Sequence, residues 1–166
     1  MMLDRALLER GVNAIVESGG FLEGGAPACS TMSAFASELG LDLSFHESRT
    51  IDSYMVGDAR LVLTMERRHA RDLMVSFDVG FERIFTVGGF LVQAASLPPK
   101  GEGLDEWLER IAPSRTHSEF LGAQCQDDIL DPHGQSKRAH RRAFDHLRST
   151  MDRVADGVVA VCDTSR

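Results

Sequence analysis

Asp131 stands directly before a proline, in the run Asp127-Asp128-Ile129-Leu130-Asp131-Pro132-His133-Gly134-Gln135-Ser136. The residue before a proline is pushed out of the α region, so Asp131 is expected at a turn and not inside a helix. A carboxylate held at a turn can act as a general acid. It can equally act as a plain helix N-cap, with Pro132 at the first helical position. The local sequence leaves both readings open. Just beyond it, Lys137-Arg138-Ala139-His140-Arg141-Arg142 is a basic run that could draw an anionic substrate or simply form a solvated helix face.

The elements that must position these groups belong to a chain of 166 residues, 43% apolar and 26% charged, which fits one domain, residues 1–166, with a real core. The net charge of −7 argues against a nucleic-acid binder, which needs a basic face. Cys29, Cys125 and Cys162 are odd in number and widely spaced, with no C-x-x-C pair. That argues against a zinc ribbon or thioredoxin-like motif and for a reduced, cytoplasmic setting. Cys29 and Cys125 are expected to be inert thiols, and neither a metal nor a cofactor is expected. The start carries early charges and no long apolar run, so no signal peptide is expected, and no segment is long enough for a membrane span.

Periodicity divides the chain into alternating elements. Met1 to Arg10 reads as an amphipathic helix stopped by Gly11, and Val12 to Glu17 as a strand. Ser30 or Thr31 can cap a helix running to Leu39, with Gly40 as its stop. Ile51 to Gly57 reads as a short helical turn. Arg60 to Thr64 is a strand, Glu66 to Phe77 a helix, Arg83 to Val87 a strand and Phe90 to Ala95 a helix. Leu104, Trp107, Leu108 and Ile111 mark a further short helix, and Pro113 to Gln126 reads mostly as loop. The longest helix runs from Ser136 to about Asp156, with Phe144, Leu147, Met151 and Val154 as its seam. Strands alternating with helices predict an α/β layer fold with a short, three-stranded parallel sheet.

With these elements in place the chain resembles the low-molecular-weight protein tyrosine phosphatase family. The likeness rests on Ser18-Gly19 before a Gly/Ala/Pro loop, on Leu39-Gly40-Leu41-Asp42 with His46-Glu47-Ser48-Arg49, on Asp58 through His69, and on Asp128-Ile129-Leu130-Asp131-Pro132-His133-Gly134. These segments resemble the family's turn after its second strand, its G-I-D…H…R segment, its strand-to-helix passage ending in M-x-x-x-H, and its general-acid stretch. The resemblance implies a three-layer α/β/α fold and phosphomonoester hydrolysis, with Asp131 as the general acid. It puts His133 where the family has a ring lining the entrance, and His46 where a histidine orders the phosphate loop. A solvent-facing turn for His133, and a loop or core position for His46, are the plain alternatives. Arg49 can be a loop-pinning residue or touch substrate. The implied partner is a phosphotyrosine protein or a small phosphomonoester.

The sequence departs from the family at its signature, a first strand ending in C-x5-R. Six residues past Cys29 is Phe35, six past Cys125 is Asp131, and Cys162 is followed only by Arg166 at four. The expectation is therefore a fold with its first strand missing, either a shortened phosphatase or a non-catalytic relative that binds a partner protein or an anion. Phosphomonoester cleavage by this route needs a thiolate, a guanidinium fork and an acid, and only the acid is evident. Losing a strand from the middle of a parallel sheet would leave unpaired backbone, so the chain should fold poorly unless something fills the slot. One filler is the tail Gly157 to Arg166, which is β-prone in Val-Val-Ala-Val-Cys. The alternative is that Val158 and Val161 continue the last helix's seam. Another filler is a second copy of the chain in a homodimer. An arsenate reductase on the same scaffold would need paired redox cysteines, which the spacing does not offer.

Overall fold

In a computed structural model the chain is described over residues 1–77, 79–121, 128–129 and 131–162. Among the described residues seven α-helices and two strands follow in order: α1 (Met2–Glu9), α2 (Ser30–Glu38), α3 (Ser53–Asp58), β1 (Val62–Thr64), α4 (Arg67–Phe77), β2 (Ile84–Thr86), α5 (Val87–Ser96), α6 (Leu104–Ile111) and α7 (Lys137–Cys162). β1 and β2 pair in parallel, with Val62 opposite Ile84, Leu63 opposite Phe85 and Thr64 opposite Thr86.

The pleat sorts these residues onto two faces, because successive side chains point to opposite sides. Phe85 and Leu63 pack with Trp107, Phe90, Leu7 and Val154 of α6, α5, α1 and α7. Ile84 and Val62 pack with Val56, Ala70 and Leu73 of α3 and α4. Helices thus cover both faces, and the architecture is the expected three-layer α/β/α with a short parallel sheet. A smaller cluster of Phe35, Ala36, Leu41 and Phe144 fastens α2 to α7.

One expectation is corrected and two open alternatives are narrowed. Val12 to Glu17 forms no strand, and the sheet among the described residues has two strands, not three. From Asn13 to Gly19 the backbone makes no backbone hydrogen bond to a described residue, and backbone bonding resumes at Gly20, whose N–H donates to Arg49 O at 2.9 Å. Val12 and Val16 still lean on the core, while Ile15 is 95% exposed. The physical reason that the fold tolerates this is exposure: Asn13, Ala14, Ile15 and Glu17 to Gly20 face water, which satisfies the groups that a neighbouring strand would have bonded.

The first open alternative concerns the tail. Gly157 to Cys162 continues α7, with Val158 and Val161 buried on the main core, so it does not lie in the slot as a strand. Residues 163–166, including Arg166, lie outside the described residues. The second concerns Asp131, which is not the N-cap of α7. The helix begins at Lys137, and Ser136 caps it, its Oγ accepting the Ala139 N–H at 3.3 Å.

Candidate functional site

β1 ends at Thr64, and the next residues are where the candidate acid is docked. Met65 O accepts the Ile129 N–H at 2.8 Å. Asp128 Oδ1 accepts the Arg67 N–H at 3.0 Å, satisfying an orphan donor at the start of α4. These two bonds hold the approach to Asp131 against the carboxyl end of a parallel strand, the end where open α/β sheets bind ligands.

Asp131 itself is exposed. Its Oδ1 accepts the His133 N–H at 2.9 Å, an Asx turn that is followed by a tight turn closed by Gln135 N–H to Pro132 O at 3.0 Å. Gly134 takes φ +72° there, a left-handed conformation that glycine adopts without strain. The turn therefore presents the carboxylate outward and leaves Oδ2 without a hydrogen bond among the described residues. His133 is exposed on the same turn, which is compatible with both of its readings.

The unpaired run arrives at the same end of the sheet from the other side. Phe21, one residue beyond Gly20, has its ring 6.2 Å from that of His69 in the first turn of α4. So α4's first turn is a shared wall, touched by Phe21 at His69 and by Asp128 at Arg67. Glu66 is nearly buried between β1 and α4, and its carboxylate pairs with Arg68 at 2.9 Å.

Gly20 to Pro27 is laced to Glu47–Thr50. Gly25 N–H donates to Ser48 O, Ser48 N–H to Ala26 O, and Gly24 N–H to Thr50 Oγ1. Gly24 is required: a Cβ there would sit 2.9 Å from Ser48 O and 3.0 Å from Thr50 N. Arg49 in this lacing makes a surface ion pair with Glu17 at 2.7 Å, which fits the loop-pinning reading. His46 lies exposed on the preceding loop, its N–H bonded to Leu43 O at 3.1 Å. No hydrogen bond or ring contact joins His46 to Asp131 or His133 among the described residues. Cys29 sits at the head of α2, where the N–H groups of Met32 and Thr31 pull its thiol below the ordinary value. Cys125, Asp127 and Leu130 lie outside the described residues.

Sequence reasoning missed Arg115, in a stretch expected to be loop. Only 4% exposed, it lies flat over Phe85 at 3.7 Å and donates to the carbonyls of Phe81, Glu82 and Ile84 at 2.7–2.9 Å. Glu119 takes its Nε at 3.2 Å. A cavity of about 230 Å³ opens beside it at the carboxyl end of β2, lined by Thr86, Gly89, Val92, Arg115 and Glu119. Arg115's donors are engaged by the protein, so its role is to tie the edge of β2 to the following loop. Nothing in the local sequence distinguishes such an arginine from a surface one. No group of three or more His, Cys, Asp or Glu could hold a metal among the described residues, and no helix there is long and apolar enough to cross a membrane.

No protein-family model and no curated protein matches the chain. Solved structures do. A low-molecular-weight protein tyrosine phosphatase from T. tengcongensis is 20% identical and superposes with a TM-score of 0.66, over 93% of this chain and 85% of its own. The YwlE arginine phosphatase from Geobacillus stearothermophilus is 20% identical, with a TM-score of 0.62 over 93% of this chain and 81% of its own. The Erwinia amylovora tyrosine phosphatase AmsI is 19% identical, with a TM-score of 0.62 over 99% of this chain and 84% of its own. Together with the two-faced parallel sheet and the acid turn docked at its carboxyl end, these superpositions establish that the chain has the low-molecular-weight protein tyrosine phosphatase fold.

Proposed function

We propose that this chain is the greater part of a phosphomonoester hydrolase acting on phosphotyrosine proteins or small phosphomonoesters in a reducing, cytoplasmic setting. In this reading a further strand and loop, carried by a longer native chain, lie beside the unpaired run. That segment would supply the thiolate that attacks phosphorus and the guanidinium that holds the phosphoryl oxygens. Asp131 would give its proton to the leaving oxygen as the P–O bond breaks, and then take one from the water that hydrolyses the thiophosphate. The observation that carries this reading is the convergence at one end of the sheet. A run of seven consecutive residues, Asn13 to Gly19, with no backbone bond to a described residue leads to Phe21 against the first turn of α4, where the Asp131 turn is anchored. His133 is proposed to line the substrate entrance, and His46 to order the phosphate loop.

A second reading is a non-catalytic module that binds a partner protein or a second copy of itself. It is favoured by the bond between Asp131 Oδ1 and the His133 N–H, which gives the carboxylate a structural task.

The deciding experiment is the intact mass of the protein from its own source, with hydrolysis of p-nitrophenyl phosphate by that species. The first reading expects a mass above 18.2 kDa, C-x5-R in the added residues, and turnover that falls about 10²–10⁴-fold in Asp131→Asn. A mass equal to this chain, with no turnover, selects the binding module, and light scattering then tells a homodimer from a monomer.

A further inference from the structure

The start of α7 carries an arrangement that the fold does not need. Its first six residues, Lys137 to Arg142, hold four permanent cations and no carboxylate. A helix start is the positive end of the dipole and favours acids, so these cations oppose it. Their spacing adds like-charge pairs one turn apart, Lys137 with Arg141 and Arg138 with Arg142. Only Arg141 is neutralised, by Glu38 at 2.8 and 2.5 Å, and it lies over the Phe35 ring. Lys137 is close enough to help draw the Glu38 carboxyl down, after Arg141, but forms no ion pair with it. Lys137, Arg138 and Arg142 are exposed and make no hydrogen bond or ion pair among the described residues. The chain as a whole carries −7, so this is a small positive island on an acidic protein.

We propose that Lys137, Arg138 and Arg142 form a docking surface for a short acidic segment of a partner polypeptide. The footprint decides the class of partner. Six helical residues span roughly 8 Å, room for a few carboxylates of an extended peptide. A nucleic acid or an anionic bilayer would extend past the island onto a molecule of the same sign as itself. The inference stands on charge and spacing, and holds whether or not the chain turns over phosphate.

The test is fluorescence anisotropy with a labelled hexaglutamate peptide, at low and at physiological salt. Two variants are matched in charge change: R138E/R142E within the island, and R148E/R153E at exposed positions further along α7. Circular dichroism checks that each is folded. The expected result is saturable binding that weakens with salt, falls at least about tenfold in R138E/R142E and changes less than about threefold in R148E/R153E. Absence of saturable binding overturns the proposal, and so does equal loss in both variants, which would mean net charge alone. Tighter binding of a labelled oligothymidylate of the same length overturns it in favour of nucleic acid. Failure here leaves the hydrolase reading untouched, because no readout depends on turnover.

Discussion

Two aspartates three residues apart do different work. Asp128 reaches across 61 residues of sequence to cap the start of α4 from outside the helix, whereas Asp131 bonds only the second N–H along its own turn. Asp128→Ala should therefore cost about 1–2 kcal/mol, as for loss of an N-cap, and Asp131→Ala about half of that or less; urea unfolding of the two variants measures the order. Arg115 should be the costlier loss. Arg115→Ala strands the carbonyls of Phe81, Glu82 and Ile84 and removes the plane stacked on Phe85, for about 3 kcal/mol or more. Cys29 is a prediction about pH. The N–H groups of Met32 and Thr31 stabilise its thiolate, so the folded pKa lies below the unfolded one. Thiolate then persists at lower pH in the folded chain, and the midpoint of its alkylation by iodoacetamide should fall below the free-cysteine value of about 8.5. Peptide mapping of Cys29 across pH checks it, and in urea the midpoint should move back up.

The elements were legible where periodicity and punctuation agreed. Gly40, at φ +70°, stops α2 as read, and Leu104, Trp107, Leu108 and Ile111 place α6. Val12 to Glu17 was misread because β-propensity describes a residue's fit to a pleated surface, and the surface here offers that run no neighbour. Asp131 was misplaced as a possible helix cap because Asp-Pro signals a chain reversal without saying how many residues separate it from the helix; Ser136 takes the cap. The tail was ambiguous in composition, and packing resolved it, since Val154, Val158 and Val161 continue one stripe onto the core. Val161→Ala should therefore cost about 2 kcal/mol, as for any fully buried valine, with loss of helical signal at the transition. No loss of stability would place Val161 outside the core and the tail outside α7. The site was half legible. The motif placed Asp131 at the carboxyl end of β1, but the bonds that hold it there, from Ile129 to Met65 and from Asp128 to Arg67, join residues more than sixty positions apart and have no local signature.

For the molecule as a whole, the unpaired run asks what holds seven residues without a ladder. Its two ends are fixed, by Val12 N–H on Leu7 O at 3.0 Å and by Gly20 against Arg49 and Ile51, and Val16 leans on the core between them. A run held by its ends, one apolar contact and the exposed Glu17–Arg49 ion pair keeps its position, yet its amides stay open to solvent. Hydrogen exchange separates these two properties. In this chain the amides from Asn13 to Gly19 should exchange at close to unprotected rates, while those within the β1–β2 ladder and the middle of α7 exchange orders of magnitude more slowly. The contrast should not change with protein concentration if the edge is open in solution. Protection of the run that grows with concentration would mean that a second copy supplies the missing ladder, and the hydrolase reading would then have to share that edge with a dimer. In the longer native species that the hydrolase reading requires, the same amides should become as slow as those of β1, because a central parallel strand would bond them. If that species exists and the run still exchanges freely, its additional strand lies elsewhere, and the convergence of Phe21 and Asp128 on the first turn of α4 loses its catalytic meaning.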